Sequence, residues 1–238
     1  MTAPQMAKPS ESTGWDESAA RQWVDKALRI EDVEFPWNLA AALTEEARPE
    51  VKVVLDAASG PGGFLAAVLD AFPAAHGVWF DVSSTMEGEA RTNLERFGER
   101  VEYVIGDLVE VGRAGAAGSF DLITSSRATH HLAVPDLTRF YQQCSVLLDA
   151  NGWLANVDSM SEPGPWRGRL RNVRAKYRAA AATPDVPTHP QINVAPSMSE
   201  HFAALRAAGF TEIELVWRMF VTGLVMARKI DPQEFVRK

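Results

Sequence analysis

Two neighbouring histidines, His130 and His131, stand in the run Ser125-Ser-Arg-Ala-Thr-His-His-Leu, which follows a short apolar stretch. An imidazole titrates near neutral pH, so either ring could remove a proton from a substrate. The alternative is that one ring of the pair packs in the loop and satisfies its hydrogen bonds, which the position favours more for His131. Ser125 and Arg127 could contact a ligand or serve only the loop. The run predicts an acid–base site, with a structural alternative left open.

A glycine-rich turn ends the apolar run Val51-Lys-Val-Val-Leu-Asp-Ala-Ala-Ser-Gly-Pro-Gly-Gly. Gly60, Gly62 and Gly63 permit positive φ and close approach of a ligand to the backbone. A helix that begins at Gly63 would direct its first amides at that ligand. Because tight structural turns have similar sequences, the turn alone indicates a nucleotide site only weakly.

Acidic residues end three successive predicted strands: Asp56, Asp81 and Asp107. A carboxylate at Asp81 can accept hydrogen bonds from both ribose hydroxyls of a nucleotide. Taken singly, such a residue could also be a helix N-cap. Three carboxylates at three strand ends are harder to explain by capping, and they favour a ligand site there.

Short apolar runs alternate with helical stretches, which is typical of parallel strands linked by crossover helices. Strands are predicted at Val51–Ala57, Gly77–Asp81, Arg100–Gly106, Phe120–Ser125, Gly152–Asp158, Thr211–Trp217 and Phe220–Ala227. Helices are predicted at Pro36–Ala47, Gly63–Ala71, Thr85–Phe97, Asp136–Leu148 and Ser199–Ala208. The last two strands are too close for a crossover helix and should pair antiparallel. The predicted fold is α/β, a doubly wound, seven-stranded, mostly parallel sheet with an antiparallel C-terminal strand.

The chain is expected to have three parts. Residues 1–14 are polar and read as a disordered leader, and residues 15–48 as an N-terminal helical cap that includes an amphipathic helix over Asp16–Ile30. Residues 49–238 form the sheet domain, with an acceptor-binding insertion at about residues 159–197. The proline-rich segment Thr183–Pro196 is interpreted as a substrate loop or a connector.

Within the insertion, basic and apolar residues recur at helical spacing and form two stripes. The basic stripe holds Arg167, Arg171, Arg174 and Arg178, and the adjoining apolar stripe holds Trp166, Leu170, Val173 and Tyr177. The apolar stripe is expected to pack on the core. The basic stripe would then meet either water or an anionic group such as a carboxylate or phosphate.

The composition and net charge of the chain argue against several classes of function. A net charge of −7 over 238 residues argues against a general nucleic-acid binder, which needs a basic surface. No apolar run reaches the length of a membrane span. The single cysteine, Cys144, allows no internal disulfide and no cysteine metal cluster, so no metal is expected. We expect a cytoplasmic protein without a membrane or nucleic-acid partner.

Together these segments resemble the class I S-adenosylmethionine-dependent methyltransferases, from about Trp15 to the C-terminus. The motifs that carry the resemblance are Leu55-Asp-Ala-Ala-Ser-Gly-Pro-Gly, Phe80-Asp-Val-Ser-Ser-Thr-Met, Ile105-Gly-Asp-Leu and Phe120-Asp-Leu-Ile. Thr129-His-His-Leu and Leu148-Asp-Ala-Asn-Gly-Trp-Leu resemble later segments of the small-molecule branch. Ala58 and Asn151 stand where that family usually has glycine and proline. Alanine is tolerated at position 58 if its φ stays negative.

The resemblance implies S-adenosylmethionine as the cofactor, with Asp81 on its ribose and Asp107 with Leu108 at its adenine. The full set of implied cofactor residues is Asp56, Ala57, Ala58, Gly60, Pro61, Asp81, Val82, Met86, Gly106, Asp107, Leu108, Ser125 and Arg127. His130 and His131 are the candidate bases. Candidate acceptor contacts are Trp15, Trp37, Arg167, Arg171 and Arg174, although the two tryptophans could simply pack in the core.

The predicted function is methyl transfer to oxygen, nitrogen or carbon of a small molecule, one with an anionic group if the basic stripe contacts it. One alternative is a non-catalytic S-adenosylmethionine-binding regulator. Another is a nicotinamide-dependent oxidoreductase, which the sequence favours less because Leu65 replaces the last glycine of G-x-G-x-x-G. The oligomeric state is left open.

Overall fold

The computed structural model describes residues 34–180 and 195–229. The predicted leader at residues 1–14, Trp15, the predicted helix Asp16–Ile30 and residues 183–194 of the proline-rich segment lie outside these ranges. Within them, no helix has both the length and the apolar character needed to cross a membrane.

The described residues form six α-helices close to the predicted positions. They are α1 (Glu34–Ala47), α2 (Gly63–Ala71), α3 (Ser84–Asn93), α4 (Val134–Leu147), α5 (Pro165–Ala180) and α6 (Met198–Ala207). Ser83 caps α3 by accepting a hydrogen bond from the Met86 amide, and Ser197 with Glu200 forms a capping box on α6. The helix predicted over Thr85–Phe97 is shorter than expected. Beyond it the chain forms a 3₁₀ segment, Glu95–Arg100, in which Gly98 has a φ of 55°.

Seven strands form one sheet in the order β3-β2-β1-β4-β5-β7-β6. They are β1 (Val53–Ala57), β2 (His76–Asp81), β3 (Val101–Ile105), β4 (Phe120–Ser126), β5 (Leu148–Ser159), β6 (Glu212–Met219) and β7 (Thr222–Arg228). Strands β1 to β5 are parallel, and β7 lies antiparallel between β5 and β6. The predicted doubly wound sheet with its antiparallel C-terminal strand is confirmed.

The register of the central strands brings polar groups together at their carboxyl ends. Ala57 of β1 lies opposite Ser125 of β4, and Ser125 lies opposite Asn156 of β5. Residues paired in register point to the same face of a sheet. This carboxyl edge, where the strand order reverses beside β1, is where open α/β sheets bind ligands.

Two apolar layers cover the sheet because adjacent residues of a buried strand face opposite sides. Val54 of β1 joins the layer of α1, α2 and α3, which includes Phe64. Leu55 joins the layer of α4 and α6, which includes Tyr141 and Leu205. The buried strands therefore read as continuous apolar runs in the sequence.

At the opposite, amino edge of the sheet, Arg48 fastens the end of α1. Its guanidinium donates to Asp149 Oδ1 at 2.8 Å and also to Asp121. Asp121 in turn accepts the Lys52 amide at 2.6 Å. These charge-assisted bonds position the N-terminal helix relative to β1 and β4.

The expectation that the apolar stripe of α5 packs on the core is wrong. Trp166, Val173 and Tyr177 are 67%, 52% and 64% exposed, and Leu170 is half-buried. Contacts of α5 with other described residues lie near its two ends. Arg167 donates to Ser161, and the Tyr177 ring contacts the Phe220 ring. Periodicity shows which residues share a helix face, but it does not show which element covers that face.

Candidate active site

Asp56 holds the glycine-rich turn in place. It is 1% exposed, and its Oδ2 accepts hydrogen bonds from Ser59 Oγ at 2.6 Å and the Leu65 amide at 3.2 Å. Its Oδ1 accepts from Thr124 Oγ1 at 2.8 Å. Burial raises the pKa of Asp56 to about 6, although these bonds oppose the rise. Because both oxygens are engaged, Asp56 positions the turn, which is a different role from the predicted cofactor contact.

The turn is left-handed at Ala58, where φ is 55°. The condition of a negative φ is therefore not met at Ala58. The next residue is fixed on both sides, because the Ser59 amide donates to Phe80 O at 3.1 Å while its hydroxyl bonds Asp56. This fixed geometry requires the bend at Ala58, where a Cβ costs about 1–2 kcal/mol relative to glycine. Gly60, with φ 54°, continues the bend without that cost.

Asp81, at the end of β2, bonds two other predicted cofactor residues, Gly60 after β1 and Gly106 after β3. Its Oδ2 accepts the Gly60 amide at 2.9 Å and its Oδ1 accepts the Ser83 amide at 3.0 Å. Its backbone carbonyl accepts the Gly106 amide at 2.9 Å. Burial raises the pKa of Asp81 to about 6. The structure thus brings Gly60, Asp81 and Gly106 together at this edge of the sheet.

Gly106 can only be glycine in this packing, because an added Cβ would lie 2.4 Å from the Phe80 ring. The neighbouring Asp107 accepts the Val109 amide at 3.1 Å and so caps a 3₁₀ segment, Leu108–Ala114. The capping alternative considered for Asp107 is therefore present. Asp107 nevertheless stays at the carboxyl edge of the sheet, because it directly follows Gly106.

The remaining predicted cofactor residues differ in accessibility. Ala57 and Met86 are buried in the two apolar layers, and Leu108 is 8% exposed. Val82 is half-buried between Asp81 and Ser83. The carbonyl of Pro61 accepts a hydrogen bond from Asn93 Nδ2 at 3.1 Å.

Ser125 presents a buried hydroxyl at the carboxyl edge. The residue is 2% exposed, and its Oγ has no hydrogen-bond partner among the described residues. Leaving such a group unsatisfied costs about 1–3 kcal/mol, so a partner is expected there. The position suits a polar group of a bound ligand between β1 and β5.

Trp37, on α1, packs against the carboxyl edge of the sheet. Its indole Nε1 donates to Ser126 Oγ at 3.0 Å, and its ring stacks on Phe64 with 5.8 Å between centroids. A Cβ on Gly63 would lie 2.6 Å from the same ring. Trp37 therefore packs against the end of β4 and the start of α2, which is the structural alternative considered for it.

The two histidines lie in a 3₁₀ turn, Thr129–His131, that follows β4. His130 is 8% exposed, and its Nδ1 lies 2.6 Å from Asp158 Oδ1. His131 is equally buried, and the two ring centroids are 4.1 Å apart. The structure thus pairs His130 with a buried carboxylate, an arrangement that fixes the orientation of an imidazole.

Asp158, at the end of β5, organises the whole turn. Its Oδ2 accepts from Thr129 Oγ1 at 2.7 Å and from the amides of Ala128 and His130, both at 3.1 Å. Burial alone would raise the pKa of Asp158, but the charge and hydrogen bonds of His130 and Thr129 outweigh it and hold the pKa well below its usual range. Asp158 therefore stays ionised beside His130. It was not among the predicted site residues, although it ends a strand as Asp56 and Asp81 do.

A chain of buried polar groups links the Thr129–His131 turn to α4 and α6. Asn156 Nδ2 donates to Thr129 Oγ1 at 3.0 Å and to Tyr141 OH at 2.9 Å. Tyr141 OH lies 2.7 Å from Nδ1 of His201, and burial lowers the pKa of His201 to about 4. These contacts tie the turn to α4 and α6, so the His130 ring is fixed by two layers of contacts.

The predicted arginines occupy different surroundings. Arg127 has a φ of 59°, and its amide donates to Val157 O at 2.8 Å, beside Asp158. Arg167 donates to Ser161 Oγ at 3.0 Å, just beyond the end of β5. Arg171 is exposed and Arg174 half-buried on α5. Trp15 lies outside the described residues.

Comparison with known families gives one match. Residues 54–152 match the family model described as a methyltransferase domain. These residues include the glycine-rich turn, Asp81 and both histidines. No curated protein sequence matches the chain.

Solved structures share the fold at low sequence identity. An O-methyltransferase family protein from Burkholderia thailandensis has a TM-score of 0.69 at 19% identity, covering 94% of this chain and 64% of its own. Human N-acetylserotonin methyltransferase, in complex with S-adenosylmethionine, has a TM-score of 0.65 at 16% identity, with coverages of 91% and 57%. The mitomycin 7-O-methyltransferase has a TM-score of 0.64 at 20% identity, with coverages of 91% and 59%. This chain therefore spans less than two thirds of each of these proteins. Residues 54–152 thus match a methyltransferase domain, and the chain shares the fold of solved methyltransferase structures.

Proposed function

We propose that this protein transfers a methyl group from S-adenosylmethionine to a small-molecule acceptor that gives up a proton to His130. The observation that carries the proposal is the 2.6 Å contact between His130 Nδ1 and Asp158 Oδ1, at the same sheet edge as the glycine-rich turn. The family match supports methyl transfer. The names of two similar structures, an N-acetylserotonin methyltransferase and a mitomycin 7-O-methyltransferase, support a small acceptor.

The residues at the carboxyl edge fit S-adenosylmethionine. Asp81 offers a carboxylate for ribose hydroxyls beside the backbone of Gly60. Gly106 packs against the Phe80 ring and bonds the Asp81 carbonyl, so Asp107 and Leu108 lie at the same edge, where they would contact the adenine. Ser125 supplies a buried hydroxyl that lacks a partner among the described residues and could bond the polar end of the ligand.

When bound, S-adenosylmethionine supplies an electrophilic methyl carbon, so the protein has to align the acceptor and remove its proton. The ionised carboxylate of Asp158 accepts the Nδ1–H of His130, which fixes that ring proton on Nδ1. The lone pair then resides on Nε2, which takes the acceptor proton. Thr129 and the backbone amides around Asp158 keep this orientation.

The proposed acceptor contacts of Arg167, Arg171 and Arg174 stay a prediction, as do the domain bounds and the cytoplasmic location. Arg167 is the best placed of the three, because Ser161, its partner, follows Asp158 by three residues. An acceptor with a carboxylate or phosphate would favour this side of the site.

A labelled-methyl screen tests the proposal. The protein is incubated with S-adenosylmethionine carrying a labelled methyl group and fractions of a metabolite extract. Labelled product is expected with the wild type and strongly reduced product with His130→Gln. Cofactor binding without any labelled product from a broad acceptor set would instead favour the non-catalytic regulator.

A further inference from the structure

A row of apolar side chains runs along α5 and is left uncovered by the described residues. Trp166, Val173 and Tyr177 are each more than half exposed, and Leu170 is half-buried between them. At about 100° per residue, the four positions fall within an arc of about 60° on the helix surface. Single exposed apolar residues are ordinary on a protein, but a row of four along one helix marks a contact surface.

Basic residues lie on both sides of this row. By the same helical spacing, Arg169 and Lys176 fall at one margin, and Arg167, Arg171 and Arg174 fall at the other. The helix contains no aspartate or glutamate. Long basic side chains can lay their apolar stems along such a row while their charged ends reach outward. The helix α5 is therefore amphipathic and basic at both margins of its apolar face.

The exposed cations of α5 differ from those elsewhere on the described surface. Within residues 34–180 and 195–229, no carboxylate lies within ion-pair distance of Arg169, Arg171 or Lys176, although the whole chain carries a net charge of −7. Four exposed arginines on other elements do lie within ion-pair distance of a carboxylate, namely Arg91, Arg96, Arg113 and Arg139. The cations of α5 are thus available to an anionic partner.

The order of the residues around α5 favours a lipid surface over other polyanions. An anionic bilayer offers an apolar layer beneath a plane of phosphates, which matches an apolar row between two lines of cations. Trp166 lies in the first turn and Tyr177 near the end of the row, and such amphipathic rings favour the boundary between lipid and water. Against a nucleic acid, whose outer surface is phosphate, the apolar row would stay uncovered.

We propose that α5 docks this protein on the surface of an anionic membrane, with the helix axis parallel to that surface. The apolar row enters the boundary between headgroups and acyl chains, and the flanking cations contact the lipid phosphates. The proposal replaces the expectation of no membrane partner, which rested on the lack of a membrane-spanning run. It concerns a surface away from the cofactor residues and does not depend on methyl transfer.

Co-sedimentation of the full-length protein with lipid vesicles tests the charged margins. The protein should bind phosphatidylglycerol vesicles at least about tenfold more tightly than phosphatidylcholine vesicles, and added salt should weaken this binding. The double variant Arg169→Gln, Lys176→Gln should lose about tenfold or more in affinity. Its matched control, Arg113→Gln with Arg139→Gln, removes the same charge from exposed positions outside α5 and should bind as the wild type does.

A second pair of variants tests the apolar row. Val173→Asp should also lose about tenfold or more in affinity for phosphatidylglycerol vesicles, because its charge would have to enter the lipid boundary. The control Val146→Asp, on α4, replaces a side chain that is likewise exposed, at 61%, and should bind normally. Brominated lipid should quench the tryptophan fluorescence of the wild type, and less so that of Trp166→Phe. Circular dichroism reports whether each variant is folded.

Equal binding to the two kinds of vesicle would overturn the proposal, as would unchanged binding by the Arg169→Gln, Lys176→Gln variant. Normal binding by Val173→Asp would overturn the docking of the apolar row. Binding of DNA or of an acidic peptide through these cations, without binding to phosphatidylglycerol vesicles, would also overturn it, because the partner would then be a different polyanion.

Discussion

Nδ1 of His130 lies 2.6 Å from Oδ1 of Asp158, and both residues are buried at the carboxyl edge of the sheet. The carboxylate receives four further hydrogen bonds, from Thr129 Oγ1 and from three backbone amides. This dense set of donors fixes the carboxylate, and the carboxylate fixes the imidazole. The geometry therefore distinguishes His130 from His131, both of which the sequence offers as candidate bases.

Replacing His130 by glutamine should lower turnover about 10²–10⁴-fold, because the general base is lost. The affinity for S-adenosylmethionine should change little, since Asp81 and the glycine-rich turn lie at the ends of β1 and β2. Single-turnover kinetics with the identified acceptor measures the effect. His131→Gln serves as the matched control and should lose far less activity. Equal losses in the two variants would remove the distinction between the rings.

Asp158→Asn should lower kcat while KM for the cofactor stays near its wild-type value. The new amide would donate to Nδ1 and move the ring proton to Nε2, so the lone pair would face away from the acceptor. Because the amide nitrogen cannot accept from the surrounding donors, unfolding free energy should also fall by about 2–4 kcal/mol. Thr129→Val removes one bond to Asp158 but leaves the His130 contact, and it should retain most of the kcat. A larger kcat loss in Thr129→Val than in Asp158→Asn would argue against a positioning role for Asp158.

The stability of the ligand-free protein should depend on pH through Asp81. Burial raises its pKa from 3.8 to about 6, so between these values the folded state holds a proton that the unfolded state has released. Stability from this group is present below pH 4 and is lost as pH rises through 6, by about 3 kcal/mol. The stability of Asp81→Asn relative to wild type should therefore increase between pH 4 and pH 7 in urea unfolding. The exposed Asp70→Asn is the control, and the same pH dependence in both variants would contradict the account.

Ala58→Gly should stabilise the protein by about 0.5–1 kcal/mol, which urea unfolding can measure. Removing the left-handed strain should raise the free energy of unfolding by about 1–2 kcal/mol. The greater freedom of glycine in the unfolded chain should lower it by about 0.4–1 kcal/mol. Ala67→Gly, inside α2, is the comparison and should destabilise by about 1 kcal/mol. A loss of similar size at Ala58 would show that its backbone is not left-handed.

Much of the fold could be predicted from the sequence, because strand period, crossover length and glycine placement are local signals. The helix bounds at Gly63–Ala71 and the reversed C-terminal strand follow from these alone. The length of α3 could not be predicted, because the helical composition continues through a segment that folds as a 3₁₀ turn around Gly98.

The site was only partly predictable, because contacts across the sheet depend on register. The strand-end pattern found Asp81 and Gly106, which the structure joins through one carbonyl and one amide. The same pattern extended to β5 would have drawn attention to Asp158, yet its pairing with His130 depends on how β4 and β5 align. The φ of Ala58 and the exposure of Trp166 also depend on tertiary contacts that no local pattern encodes.

Titration calorimetry is the most direct test of the central claim that the carboxyl edge binds S-adenosylmethionine. The wild type should bind both S-adenosylmethionine and its demethylated product, with dissociation constants of about 1 μM to 1 mM, and should give no heat with NAD. Asp81→Ala should lose both sulfur ligands, whereas Asp70→Ala should bind as the wild type does. Heat with NAD alone, or normal binding by Asp81→Ala, would contradict the account.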